Sequence, residues 1–307
     1  LYSDFSQKMI FVAYHPCYKL ELPDGHRFPM EKYPLLKEQL LYEGTFSREN
    51  FFTPEKLDIK IIEKVHKKSY VEKLLNLCLD KNEIRRIGFP LNEELIDREI
   101  TIAGGTVECC IKAFENGISF NVAGGTHHAF SDKGEGFCLL NDQAIAAQHL
   151  INKFDLNKVL IIDLDVHQGN GTAEIFEGND KVFTFSMHGK KNYPFQKRKS
   201  DLDIELLDGT GDQQYLNILY EKLDMLFDLV KPDFIFYLSG VDILETDKLG
   251  RLNVTVEGCK LRDQMVLSKC FESNIPVQCS MGGGYSEDLK IILEAHSNTF
   301  RIASKIF

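Results

Sequence analysis

Apolar and polar positions follow two rhythms in alternation along the chain. Short runs of branched and aromatic residues at 10–14, 119–122, 159–162, 181–187, 234–238 and 276–280 read as strands. The central run has no polar face, which predicts burial on both sides, as in a parallel sheet. Between the strands, apolar residues recur every three or four positions over 35–42, 70–79, 100–116, 140–153, 172–176, 214–230, 256–271 and 287–305, and these segments read as helices. The alternation continues to the end of the chain without an internal repeat, low-complexity tract or linker. It argues for one α/β domain, a mostly parallel sheet flanked by helices. Pro23, Gly25, Pro29 and Pro34 forbid a long helix in their stretch. Residues 81–99 read as a charged connection around Gly88-Phe89-Pro90, and 188–211 as a long polar loop. Gly104-Gly105, within 100–116, predicts a close approach to a neighbour.

The run Val159-Leu160-Ile161-Ile162 leads directly into Asp163-Leu164-Asp165-Val166-His167-Gln168-Gly169-Asn170-Gly171. Side chains alternate along a strand, so Asp163, Asp165 and His167 are expected on one face, with about 7 Å between neighbours, and Leu164 and Val166 on the other. Gly169 and Gly171 permit a sharp turn. In open α/β sheets, ligands bind beyond the carboxyl ends of the strands. Four such ends carry polar groups here: His127-His128, the Asp-x-Asp-x-His run, Asp242 after Ser239-Gly240-Val241, and Tyr285 after Gly282-Gly283-Gly284. Singly, each has an ordinary structural role, as a packed histidine pair, a helix-capping aspartate or a gap-filling tyrosine. Their coincidence on one sheet edge points to a site. Asp165, His167 and Asp242 make a two-carboxylate, one-imidazole set that leaves a coordination position open, as in catalytic rather than structural zinc. Such an ion polarises a carbonyl and lowers the pKa of water. His127 and His128 can serve as base and acid if their rings are oriented, one by Asp163 and the other by Asn170. Tyr285, on a glycine run, can swing its hydroxyl toward an oxygen that becomes anionic.

Hydrophobic residues make up 43% of the 307, ample for a full core, and 36 Lys plus Arg against 46 Asp plus Glu leave a net charge of -10. An acidic chain without a basic tail is poorly suited to gripping nucleic-acid phosphates. The exception is Lys190, Lys191 and Lys197-Arg198-Lys199, which read as a solvated loop; if they rim the site they would steer acidic substrates. Eight cysteines show neither metal-finger spacing nor a disulfide framework, and they read as reduced thiols of an intracellular, cytoplasmic protein. No apolar run reaches membrane-spanning length, and residues 1–8 are unlike a secretory signal. Residues 1–8 are expected to be a trimmed or artificial segment before a catalytic domain of 9–307.

With these residues in place, the chain resembles the histone deacetylase superfamily on the arginase/deacetylase fold, from Tyr14-His15-Pro16 to the last helix. The resemblance rests on Gly124-Gly125-Thr126-His127-His128-Ala129, Gly136-Phe137-Cys138, the 163–171 run, Gly240-Val241-Asp242 and Gly283-Gly284-Tyr285. The Gly136-Phe137-Cys138 and His167-Gln168-Gly169-Asn170-Gly171 motifs, with Asp242 to Gly250, are most similar to the class IV branch and its bacterial relatives. The resemblance implies an eight-stranded sheet and one zinc ion on Asp165, His167 and Asp242. It implies His128 as general base and then acid, His127 as electrostatic partner braced by Asp163, and Tyr285 as oxyanion donor. Phe137, Gly136 and Gly284 would line an acyl-lysine tunnel, with Tyr193 near its mouth and Arg27 and Lys32 as candidates for its floor. A structural potassium ion would be held by Asp163, Asp165, His167, Ser186 and Met187. Asn170 stands where class I members carry a second His-orienting aspartate. A neutral amide does not stabilise an imidazolium as a carboxylate does, so this residue is expected to tune the base.

The implied reaction is hydrolysis of acetyl- or longer acyl-lysine in a protein or peptide, with no nucleic-acid or membrane partner. An acetylpolyamine or other acylated small amine is the second substrate reading, for which Glu93, Glu94 and Asp97, in a loop near the entrance, are the available carboxylates. A ureohydrolase would need further carboxylates for a second metal. A non-catalytic acyl-lysine binder would be expected to have lost a ligand or the tyrosine, and none is lost.

Overall fold

The computed structural model describes residues 8–307; apart from Lys8, the expected N-terminal segment lies outside the described residues. Eight strands, β1 (Phe11–Ala13), β2 (Phe51–Phe52), β3 (Ile118–Asn121), β4 (Val159–Asp163), β5 (Val182–Gly189), β6 (Leu202–Leu206), β7 (Phe234–Leu238) and β8 (Val277–Ser280), form one sheet in the order β2-β1-β3-β8-β7-β4-β5-β6. Every pairing is parallel. The four central strands β3, β8, β7 and β4 are buried at every residue, β4 and β7 through their apolar runs and β3 and β8 with polar Ser119, Asn121, Gln278 and Ser280 buried among them. Their register places Asn121, Ser280, Leu238 and Asp163 side by side. Four adjacent strands therefore end level, and the four loops that follow them emerge together.

The helices are α1 (Lys32–Tyr42), α2 (Ile59–Ile62), α3 (Lys68–Leu75), α4 (Lys81–Ile87), α5 (Glu93–Asn116), α6 (Asp142–Phe154), α7 (Asn170–Ile175), α8 (Asp212–Val230), α9 (Val256–Glu272) and α10 (Leu289–Ile306). They flank the sheet, α5 packing with α6, and α8, α9, α10 and α1 packing in succession. The close approach expected at Gly104-Gly105 is present, since a Cβ on Gly104 would lie 2.1 Å from the Glu55 carbonyl oxygen and one on Gly105 2.6 Å from the Tyr18 hydroxyl.

Two expectations need correction. Residues 81–99 are largely helical: Asp80 caps α4 by accepting from the Asn82 and Glu83 amides, and Asn92 caps α5 by accepting from Leu95 at 2.8 Å. Glu93 and Glu94 thus form the first turn of α5, where the helix dipole favours negative charge. Asp97 pairs with Lys56 at 2.7 Å, and none of the three lines a cavity. The loop at 188–211 contains β6, whose Leu202-Asp203-Ile204-Glu205-Leu206 alternation suits a half-exposed edge strand. The expected single sheet flanked by helices is present, and all of its strand pairings are parallel.

One buried side chain ties two of the four loops to the helical layer. Arg262, on α9, is fully buried and ion-paired to Asp263 at 2.7 Å. It donates to the carbonyls of Gly240 at 2.5 Å, Ser239 at 3.2 Å and Leu164 at 3.4 Å. Asp263 also accepts from the hydroxyls of Tyr237 and Thr299. Breaking a buried pair leaves an uncompensated charge, so Arg262→Ala is expected to cost about 3–5 kcal/mol. Lysine, a single point of charge, cannot replace the planar fork, and Arg262→Lys should recover only part of the loss. Urea unfolding measures both; a loss below about 1 kcal/mol for the alanine variant would show that the pin is not needed.

Candidate active site

The loop after β3 carries the histidine pair. Gly124 and Gly125 both have positive φ, +82° and +75°, which keeps the turn tight without a Cβ penalty. A Cβ on Gly124 would also strike Asp142 Oδ2 at 2.3 Å. Asp142, at the start of α6, accepts from the Thr126 amide at 2.9 Å and from the hydroxyls of Thr126 and Thr106 at 2.7 Å each. The His127 carbonyl accepts from the amides of Gly171 at 3.0 Å and Thr172 at 3.1 Å, at the head of α7. His66 stitches the far end of the loop, bonding the Phe130 carbonyl through Nδ1 at 2.9 Å and accepting from the Asn141 amide at Nε2 at 3.0 Å.

The loop after β4 was expected to continue strand alternation as far as His167. The strand stops at Asp163, and main-chain hydrogen bonds make the convergence instead. The Asp165 amide donates to Asp163 Oδ1 at 3.1 Å, and the His167 amide donates to Asp165 Oδ1 at 3.0 Å. Asp242 arrives from the β7 loop and accepts from the Val166 amide at 2.9 Å. His167 Nδ1 faces Asp165 at 3.0 Å and Asp242 at 3.1 Å. All three residues are buried, and one ligand atom from each lies within 4.8 Å of the others. This donor set, with its nitrogen turned inward between two carboxylates, fits a divalent cation. Burial opposes protonation of His167, but the two carboxylates outweigh it and raise its pKa to about 10. Burial first, and Asp165 second, push Asp242 up to about 7.

Each catalytic candidate imidazole has the partner expected for it. His127 Nδ1 meets Asp163 Oδ2 at 2.7 Å, and His128 Nδ1 meets Asn170 Oδ1 at 2.6 Å. The environments separate the pair. For His127, burial is outweighed by Asp163 and Asp165, and its pKa rises to about 8. For His128, burial, the neighbouring His127 and His167 hold the pKa well below the ordinary value.

The glycine run before Tyr285 is tightly packed rather than flexible. A Cβ on Gly283 would lie 2.0 Å from Asp242 Oδ2, and the Gly283 amide donates to Asp165 Oδ2 at 2.9 Å. The Tyr285 amide is anchored on Asp247 Oδ2 at 2.6 Å. Burial, then the charges of Asp242 and Asp165, raise the Tyr285 phenol pKa well above its usual value.

Two connected cavities meet at these residues. A small inner one, about 40 Å³, is lined by His127, His128, Asp165, His167, Phe137 and Tyr285, with Tyr33, Arg98 and Ile102 behind them. The outer one, about 390 Å³, shares His128, Gly136, Phe137, His167 and Tyr285 and adds Tyr193. Gly284 lines neither; its Cα faces Val241, His296 and Ile292. Arg27 lies at the outer mouth, its guanidinium 5.0 Å from the Phe137 ring centroid, not at the floor. Lys32 is buried, bonding the Gly282 carbonyl at 3.1 Å, with its pKa lowered by burial to about 8. Ser186 and Met187 lie beside Asp163 through β4–β5 pairing, with the Ser186 hydroxyl 2.9 Å from His188 Nδ1. Of the basic run only Lys191 lines the mouth; Lys197 turns back onto the carbonyls of Asn192 and Pro194.

Glu135 was not singled out in the sequence. It is buried, and its Oε1 accepts from Asn170 Nδ2 at 2.6 Å, while the Tyr193 hydroxyl also bonds it. A carboxylate between two glycines on a loop looks solvent-bound, and no local pattern marks it. Asp247 lies within the 242–250 run, where nothing local marks it as the anchor of the Tyr285 amide. Arg262 had a signal, a charged residue at helical spacing between Cys259 and Val266 on the buried stripe.

The histone deacetylase domain matches residues 26–300, and the chain belongs to the histone deacetylase family. It is 43% identical over 296 residues to an uncharacterised protein of Picosynechococcus, covering 96% of this chain and 99% of that one. It is 27% identical to histone deacetylase 2 of Arabidopsis thaliana, over 98% of this chain and 81% of that protein. A solved HDAC homologue complexed with SAHA superimposes with a TM-score of 0.84 at 22% identity, over 98% of this chain and 85% of that chain. An HDAC homologue from Aquifex aeolicus gives 0.82 at 21% identity, over the same shares. At these identities the structural likeness speaks for the fold. The family is one of zinc-dependent deacetylase hydrolases acting on acetylated lysine, and this chain carries a buried Asp-His-Asp cluster able to hold a metal. Among the described residues no helix is long and apolar enough to cross a membrane.

The His66 stitch makes a pH prediction. Burial lowers its pKa from 6.5 to about 4. A depressed folded pKa contributes stability that is fully present above the unfolded value and is lost as pH falls through 6.5 toward 4. The loss is on the order of 3 kcal/mol. In His66→Gln, which does not titrate, the urea midpoint should fall less than in the parent between pH 7.5 and 4.5. Parallel slopes in the two proteins would rule out His66 as a source of acid sensitivity.

Proposed function

We propose that this chain is a zinc-dependent deacylase that hydrolyses the amide of acyl-lysine in a protein or peptide, working as a single catalytic domain over residues 9–307. The observation that carries the reading is the histidine pair, His127 held at Nδ1 by Asp163 and His128 by Asn170, beside a buried Asp-His-Asp cluster. Two titratable groups driven apart by their surroundings are suited to different roles. Asp165, His167 and Asp242 would hold the ion, which supplies Lewis-acid polarisation of the amide carbonyl and acidifies a water molecule.

His128 is the base. Asn170 Nδ2 donates to Glu135 Oε1, and this bond fixes which end of the amide faces away from Glu135. The Asn170 carbonyl oxygen then faces His128 and accepts from Nδ1–H, leaving Nε2 free to take a proton from water and return it to the departing amine. His127, whose pKa Asp163 and Asp165 raise to about 8, would offset part of their charge. Tyr285 keeps its proton and donates it in a hydrogen bond to the developing oxyanion. Phe137, Gly136 and Tyr193 would guide the lysine arm. The small size of the inner cavity, about 40 Å³, supports acetyl over a fatty chain. A potassium ion on Asp163, Asp165, His167, Ser186 and Met187 belongs to the same proposal, as does the class IV-like character. The eight free thiols suit an intracellular setting.

The test is zinc content together with turnover of acyl-lysine peptides from acetyl to myristoyl. Zinc loss on chelation should abolish turnover, zinc should restore it, and rates should decline with chain length. Tyr285→Phe should lower kcat by about 10²–10³-fold with zinc content unchanged. Turnover that persists without metal would end this account.

The relay makes a second prediction. Glu135→Ala frees the Asn170 amide to flip and should lower kcat about tenfold, within the range of a positioned base, with KM little changed. Glu135→Gln, whose carbonyl oxygen still accepts from Asn170, should recover most of it. Asn170→Asp sets two carboxylates against each other, and adding Glu135→Gln should partly rescue it. Equal losses for the alanine and glutamine variants would remove Glu135 from the relay.

A further inference from the structure

The outer cavity is cationic on an acidic protein. Arg27, Arg86, Lys191 and Arg251 line it, and no carboxylate does. All four are exposed. Among the described residues, Arg27 and Arg86 have no carboxylate within 4 Å. Lys191 and Arg251 share Asp208 alone, at 3.7 and 3.3 Å. Unpaired guanidiniums around a concave mouth attract anions, most strongly carboxylates that can engage the planar fork. Arg27 sits over Phe137, a ring shared by both cavities, so this charge stands where groups flanking the scissile amide must pass. Glu93, Glu94 and Asp97, the carboxylates that would have welcomed a polyamine, lie on α5 away from the mouth.

Building on the deacylase reading, we propose that the mouth selects acyl-lysines with negative charge beside the scissile amide, as in acidic peptides, and disfavours cationic polyamines and basic tails. Steering of this kind acts on association and is screened by salt.

The experiment compares zinc-loaded protein on acetyl-lysine peptides with Asp/Glu, neutral or Lys/Arg flanks, alongside N-acetylputrescine and free Nε-acetyl-lysine against its carboxamide. Each kcat/KM is taken relative to the neutral peptide on the same variant. The acidic peptide should exceed the basic one by about tenfold at low ionic strength, and the ratio should shrink in salt. The combined Arg27→Glu and Arg86→Glu variant should invert the order. The combined Lys260→Glu and Lys305→Glu variant, an equal charge change on α9 and α10 away from the mouth, should not. A preference for free acetyl-lysine over its carboxamide but none among peptides would assign the anion to a single amino acid and overturn the peptide. Equal or basic preference, brisk turnover of N-acetylputrescine, or a ratio unmoved by the double reversal would overturn the proposal. Absence of turnover even of the neutral peptide would overturn the deacylase reading and this inference with it.

Discussion

Three aspartates, Asp163, Asp165 and Asp242, are buried together at one edge of the sheet, and the surrounding structure is arranged around their charge. Carboxylates in a low-dielectric space repel each other and lose their hydration. Four main-chain amides, of Asp165, Val166, His167 and Gly283, donate to them. The imidazoles of His127 and His167 also lie against them, His127 2.7 Å from Asp163 and His167 3.0 Å from Asp165. Burial, then the neighbouring Asp165, raise the Asp242 pKa. Two buried carboxylates gathered around an inward imidazole nitrogen form a donor set suited to a divalent cation.

The sheet order makes that concentration possible. β3, β8, β7 and β4 are neighbours and end at one level, although their loops are far apart in the chain. Close packing then removes freedom from those loops. Gly124 and Gly283 leave no room for a Cβ, Arg262 fastens the β4 and β7 loops from below, and Asp247 holds the Tyr285 main chain. The tyrosine is held in place, which suits a donor aimed at charge that develops only during reaction.

Much of this was legible beforehand. Buried strands announce themselves by unbroken apolar runs, and the Asp-x-Asp-x-His and His-His motifs stand out because polar groups rarely follow such runs in register. Asp163 and Asn170 were matched to the histidines that they bond. The edge strands were not seen, since β2 spans two residues and β6 lies within a polar stretch. The 81–99 segment was misread because its charges obscured two capping residues, Asp80 and Asn92. Glu135 was missed because nothing near it in the chain shows that it meets Asn170.

The sequence by itself determined what repeats or punctuates locally: strand and helix alternation, the glycine turns, and the types of side chain waiting at each strand end. Tertiary structure alone decided which of those side chains share a hydrogen bond, which histidine is the harder to protonate, and what charge rings the entrance. The reason is that desolvation and Coulomb interaction depend on distance through space and on the surrounding medium. Asn170 and Glu135 stand 35 residues apart, and Arg262 stands 98 from Leu164; only the folded chain brings them within reach.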